Sequence, residues 1–141
     1  MALSVRLTTD NDLPALISRY KQFVHGSKAK SWFKYIDEEK VLELLCNSSF
    51  IINETYLVVM SETQPWYFKE HKVLEEQLIV KLYNNGGKFT DVLEFLKIEA
   101  KARGCVAVFA GSMLATQFQS LGRLYKSQGY KEEGGQYILE L

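Results

Sequence analysis

The sequence has 141 residues, enough for one domain with its own core and little room for a second, so we expect a single domain over residues 1–141. Seventeen Lys and Arg residues balance seventeen Asp and Glu residues, which argues against nucleic acid or an anionic membrane as a partner. There is no apolar run of membrane-spanning length and no Cys/His cluster that would bind a metal. We therefore expect a soluble, cytoplasmic protein without a metal site.

The first third of the chain is predicted to hold one strand and two helical regions. Residues 4–7 alternate between apolar and polar, and the polar run 8–12 supplies capping side chains for a helix from Leu13 to Phe23. Gly26-Ser27 ends this helix. A second helical region in two parts follows, with Asp37 placed to cap residues 38–46.

Strands are predicted in the middle of the chain. Residues 50–52 and 56–60 are β-branched and aromatic runs separated by Asn53-Glu54, and residues 73–82 form a longer strand. A Gly-rich turn then leads into a helix over residues 90–101, an apolar strand over 105–110, a helix over 118–128 and a last strand over 137–141.

The Gly-rich turn after the long strand is a candidate anion site. The helix that follows begins with free backbone N–H groups, glycine has no Cβ to keep a phosphate away from the backbone, and Lys88 adds a positive charge. Two adjacent glycines after a strand are also ordinary turn chemistry, so the turn by itself leaves both interpretations open.

Three segments resemble the GNAT superfamily of N-acetyltransferases. LEEQLIVKLYNNGGKFTDVL, residues 74–93, resembles the strand, Arg/Gln-x-x-Gly-x-Gly/Ala turn and helix of that family. RLYKSQGYKEEGGQYIL, residues 123–139, is similar to its C-terminal helix ending in Leu-Tyr-x-x-x-Gly-Phe/Tyr, and VRLTTDNDLPAL, residues 5–16, to its opening strand and helix. The resemblance implies a mixed α/β fold whose mostly antiparallel, twisted sheet is flanked by helices and splayed at the cofactor strand.

The resemblance also implies acetyl-coenzyme A as the cofactor and an amine as the acceptor. Leu78 and Ile79 would lie along the pantetheine arm. The pyrophosphate would be surrounded by the turn and the start of the next helix, namely Asn84, Asn85, Gly86, Gly87, Lys88, Phe89 and Thr90.

Three residues are candidates for proton transfer. Tyr125 matches the tyrosine that protonates the leaving thiolate in the family, and a buried aromatic residue on a helix is the alternative interpretation. Glu75 and Glu76 are candidates for the general base. Since strand residues alternate in direction, only one of them can face a substrate cleft, and Glu75 is preferred. A solvated strand end, or a base made of water and backbone groups, is the alternative for both.

The turn departs from the family pattern at both ends, with Asn84 in the first position and Phe89 in the last, where the family has a small residue. The ring of Phe89 has two options, to fold into the core or to occupy the phosphate site. A GNAT-shaped structural or interaction protein without turnover, of the kind found among tailed phages and associated with virions, is therefore the second hypothesis. An exposed edge strand near the C-terminus would also allow a homodimer.

The aromatic residues of the N-terminal half leave three interpretations open: an acceptor pocket, a partner surface or core, of which core is the default. They are Trp32, Phe33, Tyr35, Trp66, Tyr67 and Phe68.

Overall fold

The computed structural model describes residues 3–27, 29–111, 118–134 and 137–141, which form an open sheet with helices on both faces. In chain order the elements are β1 (Val5–Leu7), a 3-10 turn (Asp10–Asp12), α1 (Leu13–His25), a second 3-10 turn (Ser31–Tyr35), α2 (Glu38–Ser48), β2 (Phe50–Ile52), β3 (Tyr56–Thr63), β4 (Val73–Lys81), α3 (Phe89–Ala102), β5 (Ala107–Phe109) and α4 (Phe118–Ser127). Within those ranges, none of the helices is long and apolar enough to cross a membrane.

The strands lie side by side in the order β1-β2-β3-β4-β5. Neighbouring strands are antiparallel except β4 and β5, which are parallel. The predicted fold class, a mixed α/β structure with a mostly antiparallel sheet between helices, is confirmed.

Two apolar layers cover the sheet. On one face α1 and α2 place Leu16 and Leu45 against Leu57 and Val59 of β3. On the other face the buried side of α3, together with α4, packs on β2, β3 and β4 in the larger core, whose buried members are Ile52, Val58, Leu74, Phe89, Val92, Leu93, Phe95, Leu96, Ala100 and Tyr125. Burial of these side chains is the main source of stability, at about 25 cal/mol per Å² of apolar surface.

Strand β4 is paired with β5 only over its first residues and is bulged near its middle. Its ladder with β5 covers only residues 73–75, so the part of the chain that the structure describes provides no strand partner on that side for residues 76–81. The ladder with β3 joins Val59 to Leu78 and Met60 to Glu76, so Gln77 is an extra residue in a β-bulge. A bulge bends its strand and increases the local twist. The sheet is therefore splayed at β4, as predicted.

The end of the chain differs from the prediction. Residues 137–141 form no strand, and their large apolar side chains, Tyr137, Leu139 and Leu141, are more than 80% exposed. Glu140 is held instead at the second 3-10 turn, where Ser31 donates a hydrogen bond to its carboxylate and the Lys34 ammonium lies 3.7 Å away. The predicted last strand was wrong because an alternating apolar pattern needs a neighbouring strand, and no described strand lies beside it.

Candidate active site

Glu76 and Tyr125 meet where β4 and β5 separate. Glu76 is one residue beyond the last β4–β5 pair and is only 5% exposed, and Tyr125 reaches it from α4. The Tyr125 hydroxyl donates a hydrogen bond of 3.1 Å to Glu76 Oε1. A carboxyl and a phenol group are thus paired in a site with little water.

A second tyrosine completes this cluster. The ring of Tyr130 lies 5.4 Å from that of Tyr125, edge to face, and its hydroxyl is buried without a hydrogen-bond partner among the described residues. Burial, then the charge of Glu76 and its hydrogen bond, hold the pKa of Tyr125 well above the usual range of a phenol. Burial and the same charge raise the pKa of Tyr130 to about 12. Both phenols therefore keep their protons at neutral pH.

Glu75 lies on the opposite face of the sheet from Glu76. It is half buried, and its carboxylate receives a long hydrogen bond of 3.5 Å from the Thr63 hydroxyl. Of the two carboxylates, only that of Glu76 contacts Tyr125. The two residues predicted for the pantetheine lie on opposite faces, as consecutive strand residues do: Leu78 packs with α1 and α2, whereas Ile79 packs with α3.

Thr55 anchors the turn that follows β4. This fully buried residue accepts hydrogen bonds on its carbonyl from the backbone N–H groups of Leu82 (2.8 Å) and Tyr83 (3.1 Å). Its hydroxyl accepts a third, of 2.9 Å, from the N–H of Gly87. Asn53 and Glu54, just before it, both have a φ of 49°, as the central residues of a type I′ turn do, and residues 53–55 connect Ile52 of β2 to its partner Tyr56 of β3. The hairpin therefore supports the candidate phosphate turn.

Two backbone donors of the predicted phosphate turn are occupied within the protein. Gly87 N–H is bound by Thr55, and Lys88 N–H donates 2.8 Å to Asp91 Oδ2, which also accepts from Asn53 Nδ2 at 2.9 Å. The side-chain amide of Asn85 is also used within the protein, because it donates a hydrogen bond to the carbonyl oxygen of Glu54. Asp91 sits in the first turn of α3, where a carboxylate interacts favourably with the helix dipole in the way a phosphate would.

The ring of Phe89 lies in the core. The residue is 8% exposed, and its ring packs edge to face against Tyr56 at 6.1 Å and Tyr125 at 5.5 Å. Of the two options that the sequence left for this ring, the structure shows that it folds into the core and does not occupy the phosphate site. The ring therefore leaves the start of α3 unobstructed. The backbone N–H groups of Phe89 and Thr90 make no hydrogen bond within the described parts of the chain.

A polar network that the sequence analysis missed fixes the other side of the turn. Arg6 binds Asp12 through two hydrogen bonds of 2.9 and 3.0 Å and Glu54 through two of 2.6 and 3.0 Å. The Tyr83 hydroxyl donates to Asp12 at 2.5 Å. The Arg6 guanidinium holds the pKa of the buried Asp12 far below its usual range, while burial and the bond to Asp12 raise the pKa of Tyr83 to about 12.

The N-terminal aromatic residues do not form one pocket. Phe33 is buried and stacks on Phe23 at 4.7 Å, as the core interpretation expects. Tyr35, Trp66 and Tyr67 are 62–92% exposed, so the interpretation of these three residues as core was wrong.

Comparison with known proteins identifies the fold. No protein-family model and no curated protein sequence matches the chain. Solved structures do match over its whole length. An aminoglycoside acetyltransferase from an uncultured soil metagenomic sample aligns with a TM-score of 0.63 and 16% identity, covering 100% of this chain and 99% of the other. A ribosomal-protein-alanine N-acetyltransferase from Brucella melitensis aligns with a TM-score of 0.68 and 13% identity, covering 100% and 99%.

A third structure of the same fold, described as a transcriptional regulator from Bacillus halodurans, aligns with a TM-score of 0.72 and 13% identity, covering 99% of this chain and 100% of the other. The chain therefore has the GNAT fold of N-acetyltransferases, as the sequence resemblance predicts. Identities this low show the fold alone, and nothing in these comparisons supports the phage-related alternative.

Proposed function

We propose that this protein is an acetyltransferase that moves an acetyl group from acetyl-coenzyme A to a primary amine. The observation that carries the proposal is the position of the Glu76–Tyr125 pair, at the point where β4 loses its partner strand. An open strand edge beside a buried acid and phenol is a suitable place for an extended thioester and for proton transfer.

The residues around β4 and α3 fit the cofactor. In the described part of the chain, residues 76–81 have no strand partner on the β5 side, which leaves their backbone groups for hydrogen bonds to pantetheine amides. The N–H groups of Phe89 and Thr90, with the exposed Lys88, remain for the pyrophosphate. Gly87 and Lys88 N–H would contribute only after leaving Thr55 and Asp91, so we assign fewer donors than the seven-residue turn suggests.

Glu76 and Tyr125 can act as one proton relay. When bound, acetyl-coenzyme A would supply the activated acetyl group. Glu76 would accept a proton from the attacking amine, Tyr125 would donate its own proton to the leaving thiolate, and Glu76 would return the first proton to Tyr125, so that both side chains regain their starting protonation states. The charge of Glu76 is one cause of the raised Tyr125 pKa, so protonation of Glu76 lowers the cost of the second transfer. We therefore place the base at Glu76 rather than at Glu75.

The second candidate is a GNAT-fold structural or interaction protein without turnover. The observation that favours it is the occupied turn, where Thr55 and Asp91 already take two donors and Asp91 brings a negative charge to the expected phosphate position. The two candidates differ in whether the chain binds acetyl-coenzyme A.

The test combines binding with matched variants. Titration calorimetry with acetyl-coenzyme A is expected to show binding, and thiol release is expected with an amine acceptor. Tyr125→Phe should lower kcat at least 100-fold, since general acid catalysis contributes about 10²–10⁴-fold. Tyr130→Phe is the control, because it removes a buried hydroxyl of the neighbouring ring that has no hydrogen-bond partner among the described residues. Equal losses in both variants would contradict the relay, and no binding at millimolar acetyl-coenzyme A would favour the second candidate.

In the same way, Glu76→Gln should lower kcat at least 100-fold while Glu75→Gln leaves kcat within about threefold, since general base catalysis also contributes about 10²–10⁴-fold. The reverse result would identify Glu75, on the other face of the sheet, as the general base.

A further inference from the structure

Tyr83 lies at the entry of the candidate phosphate turn, two residues after the end of β4. Its backbone N–H donates a hydrogen bond of 3.1 Å to the carbonyl oxygen of Thr55 in the hairpin between β2 and β3. Its half-buried side chain reaches Asp12, in the 3-10 turn before α1, and the hydroxyl donates to this carboxylate at 2.5 Å. One residue therefore joins the entry of the turn to two separate parts of the fold.

The partner of the Tyr83 hydroxyl is itself held firmly. Asp12 is only 2% exposed, and its carboxylate also accepts hydrogen bonds from the Thr9 backbone N–H at 2.8 Å and from Arg6 at 2.9 and 3.0 Å. The same Arg6 guanidinium binds Glu54 of the hairpin. Hydrogen bonds to an ionised carboxylate are stronger than neutral ones. The Tyr83 hydroxyl is thus bound to an acceptor that β1 and the hairpin keep in one position.

The exit of the turn is held in a different way. The Lys88 N–H donates to Asp91 Oδ2, and this bond is exposed to solvent, whereas the bond between Tyr83 and Asp12 is half buried. A phosphate can accept from a backbone N–H at a helix N-terminus as a carboxylate does. An anion that arrives from solvent can therefore replace Asp91 at the exit, but it has no comparable access to the bond at the entry.

We propose that Tyr83 is a positioning residue for the pyrophosphate of the cofactor. Its bond to Asp12 holds the entry of the turn, so that phosphate binding exchanges hydrogen bonds only at the exit, where the phosphate replaces Asp91 at the Lys88 N–H. Without this bond the turn has more conformations, and only the fraction with the binding arrangement accepts the phosphate. The inference rests on the proposed binding of acetyl-coenzyme A, but it does not require acetyl transfer.

The binding experiment compares two ligands on Tyr83→Phe, which removes the hydroxyl and keeps the ring. Coenzyme A, titrated by calorimetry, should bind about tenfold more weakly than to the wild type, because fewer molecules have the ordered turn. Pantetheine, the same arm without the pyrophosphate, is titrated by NMR and should bind within about twofold of the wild type, because it does not reach the turn. Arg6→Lys cannot bridge Asp12 and Glu54 with the same fork of donors, so it should act in the same direction and serves if Tyr83→Phe does not fold.

Thr8→Val is the control for a purely structural effect. It removes a buried hydroxyl that donates to Leu45 O at 2.8 Å in α2, so it should lower stability while coenzyme A binding stays within about twofold. Amide hydrogen exchange of the ligand-free chain gives a second measurement. The N–H groups of Leu82 and Gly87, both bound by Thr55, should exchange faster in Tyr83→Phe than in Thr8→Val.

The outcomes separate this proposal from the function on which it rests. Weaker binding of coenzyme A with unchanged binding of pantetheine supports the positioning role. Unchanged coenzyme A binding in Tyr83→Phe, equal weakening in Thr8→Val, or equal weakening of both ligands overturns it and leaves the proposed acetyl transfer intact. The expected binding pattern without acetylation of any amine supports the positioning role and overturns acetyl transfer. A wild type that does not bind coenzyme A overturns both.

Discussion

Replacing Gly87 with alanine tests how tightly the phosphate turn is packed on the β2–β3 hairpin. The backbone of Gly87 is outside the left-handed region, so alanine can adopt it. The added Cβ, however, would lie 2.6 Å from Thr55 Oγ1, 2.7 Å from Thr55 Cβ and 3.2 Å from Asn53 Cβ. Thr55 is fully buried, so moving its side chain would disturb the groups packed around it.

The expected cost combines three contributions. Overpacking costs about 1–3 kcal/mol, and loss of the Gly87 hydrogen bond to Thr55 costs about 1 kcal/mol. The lower entropy of the unfolded chain with alanine offsets about 0.4–1 kcal/mol of this. We expect the free energy of unfolding to fall by about 2 kcal/mol, which lowers Tm by about 7 °C in a domain of this size.

Urea unfolding followed by far-UV circular dichroism measures this loss, with an unchanged m value showing that the denatured state is unaffected. Gly122→Ala in α4 is the matched control, because nothing lies within 4 Å of its added Cβ. It should raise the free energy of unfolding by about 0.5–1 kcal/mol, since glycine is unfavourable inside a helix. If Gly87→Ala behaves like Gly122→Ala, the close packing of the turn on Thr55 is refuted.

Two further predictions concern carboxylates near this turn. The pKa of Asp12 is lowered by Arg6. The Asp12 carboxylate therefore contributes to the free energy of unfolding above its unfolded-state pKa of about 3.9, and this contribution is lost as the pH falls below that value. At pH 7, Asp12→Asn should therefore lower the free energy of unfolding by about 2 kcal/mol. In urea unfolding between pH 2 and 7, the variant should lose less stability than the wild type as the pH falls, and parallel pH curves would contradict this. Asp91→Asn should tighten coenzyme A binding about threefold in low-salt calorimetry, because a negative charge at the helix N-terminus is removed, and weaker binding would contradict the competition argued for Asp91.

Local patterns predicted much of the fold. The apolar periodicity of α1 and α3, the Asp37 cap of α2 and the Gly-rich turn were recognisable because each depends on neighbouring residues. The Asp37 side chain accepts a hydrogen bond from Lys40 N–H, as a cap should. Residues 137–141 were misjudged because a strand depends on a partner that its own sequence does not contain.

The candidate site was less predictable. Period-two alternation along VLEEQLIVK places Glu76, Leu78 and Val80 on one face, but the bulge moves the last two to the other. Thr55 gave no signal beyond the hairpin residues before it, because its role comes from contacts with residues about 30 positions later. Likewise, the sequence left two directions for the Phe89 ring, and only packing against Tyr56 and Tyr125 decides between them.

Because of the bulge, the effect of deleting one residue from β4 depends on which residue is deleted. Gln77 is exposed and lies outside the β3–β4 register, although its side-chain amide donates a hydrogen bond of 3.2 Å to the Ser61 hydroxyl. Removing it would make Glu76 and Leu78 neighbours and restore a continuous ladder. Every other side chain would keep its face, and the bend and this hydrogen bond would be lost. Removing a residue within 78–80 instead would turn an apolar side chain out of its layer or draw Gln77 into it. The bend of β4 can thus be removed by deleting one residue, without changing which side chains enter the two apolar layers on either side of the sheet.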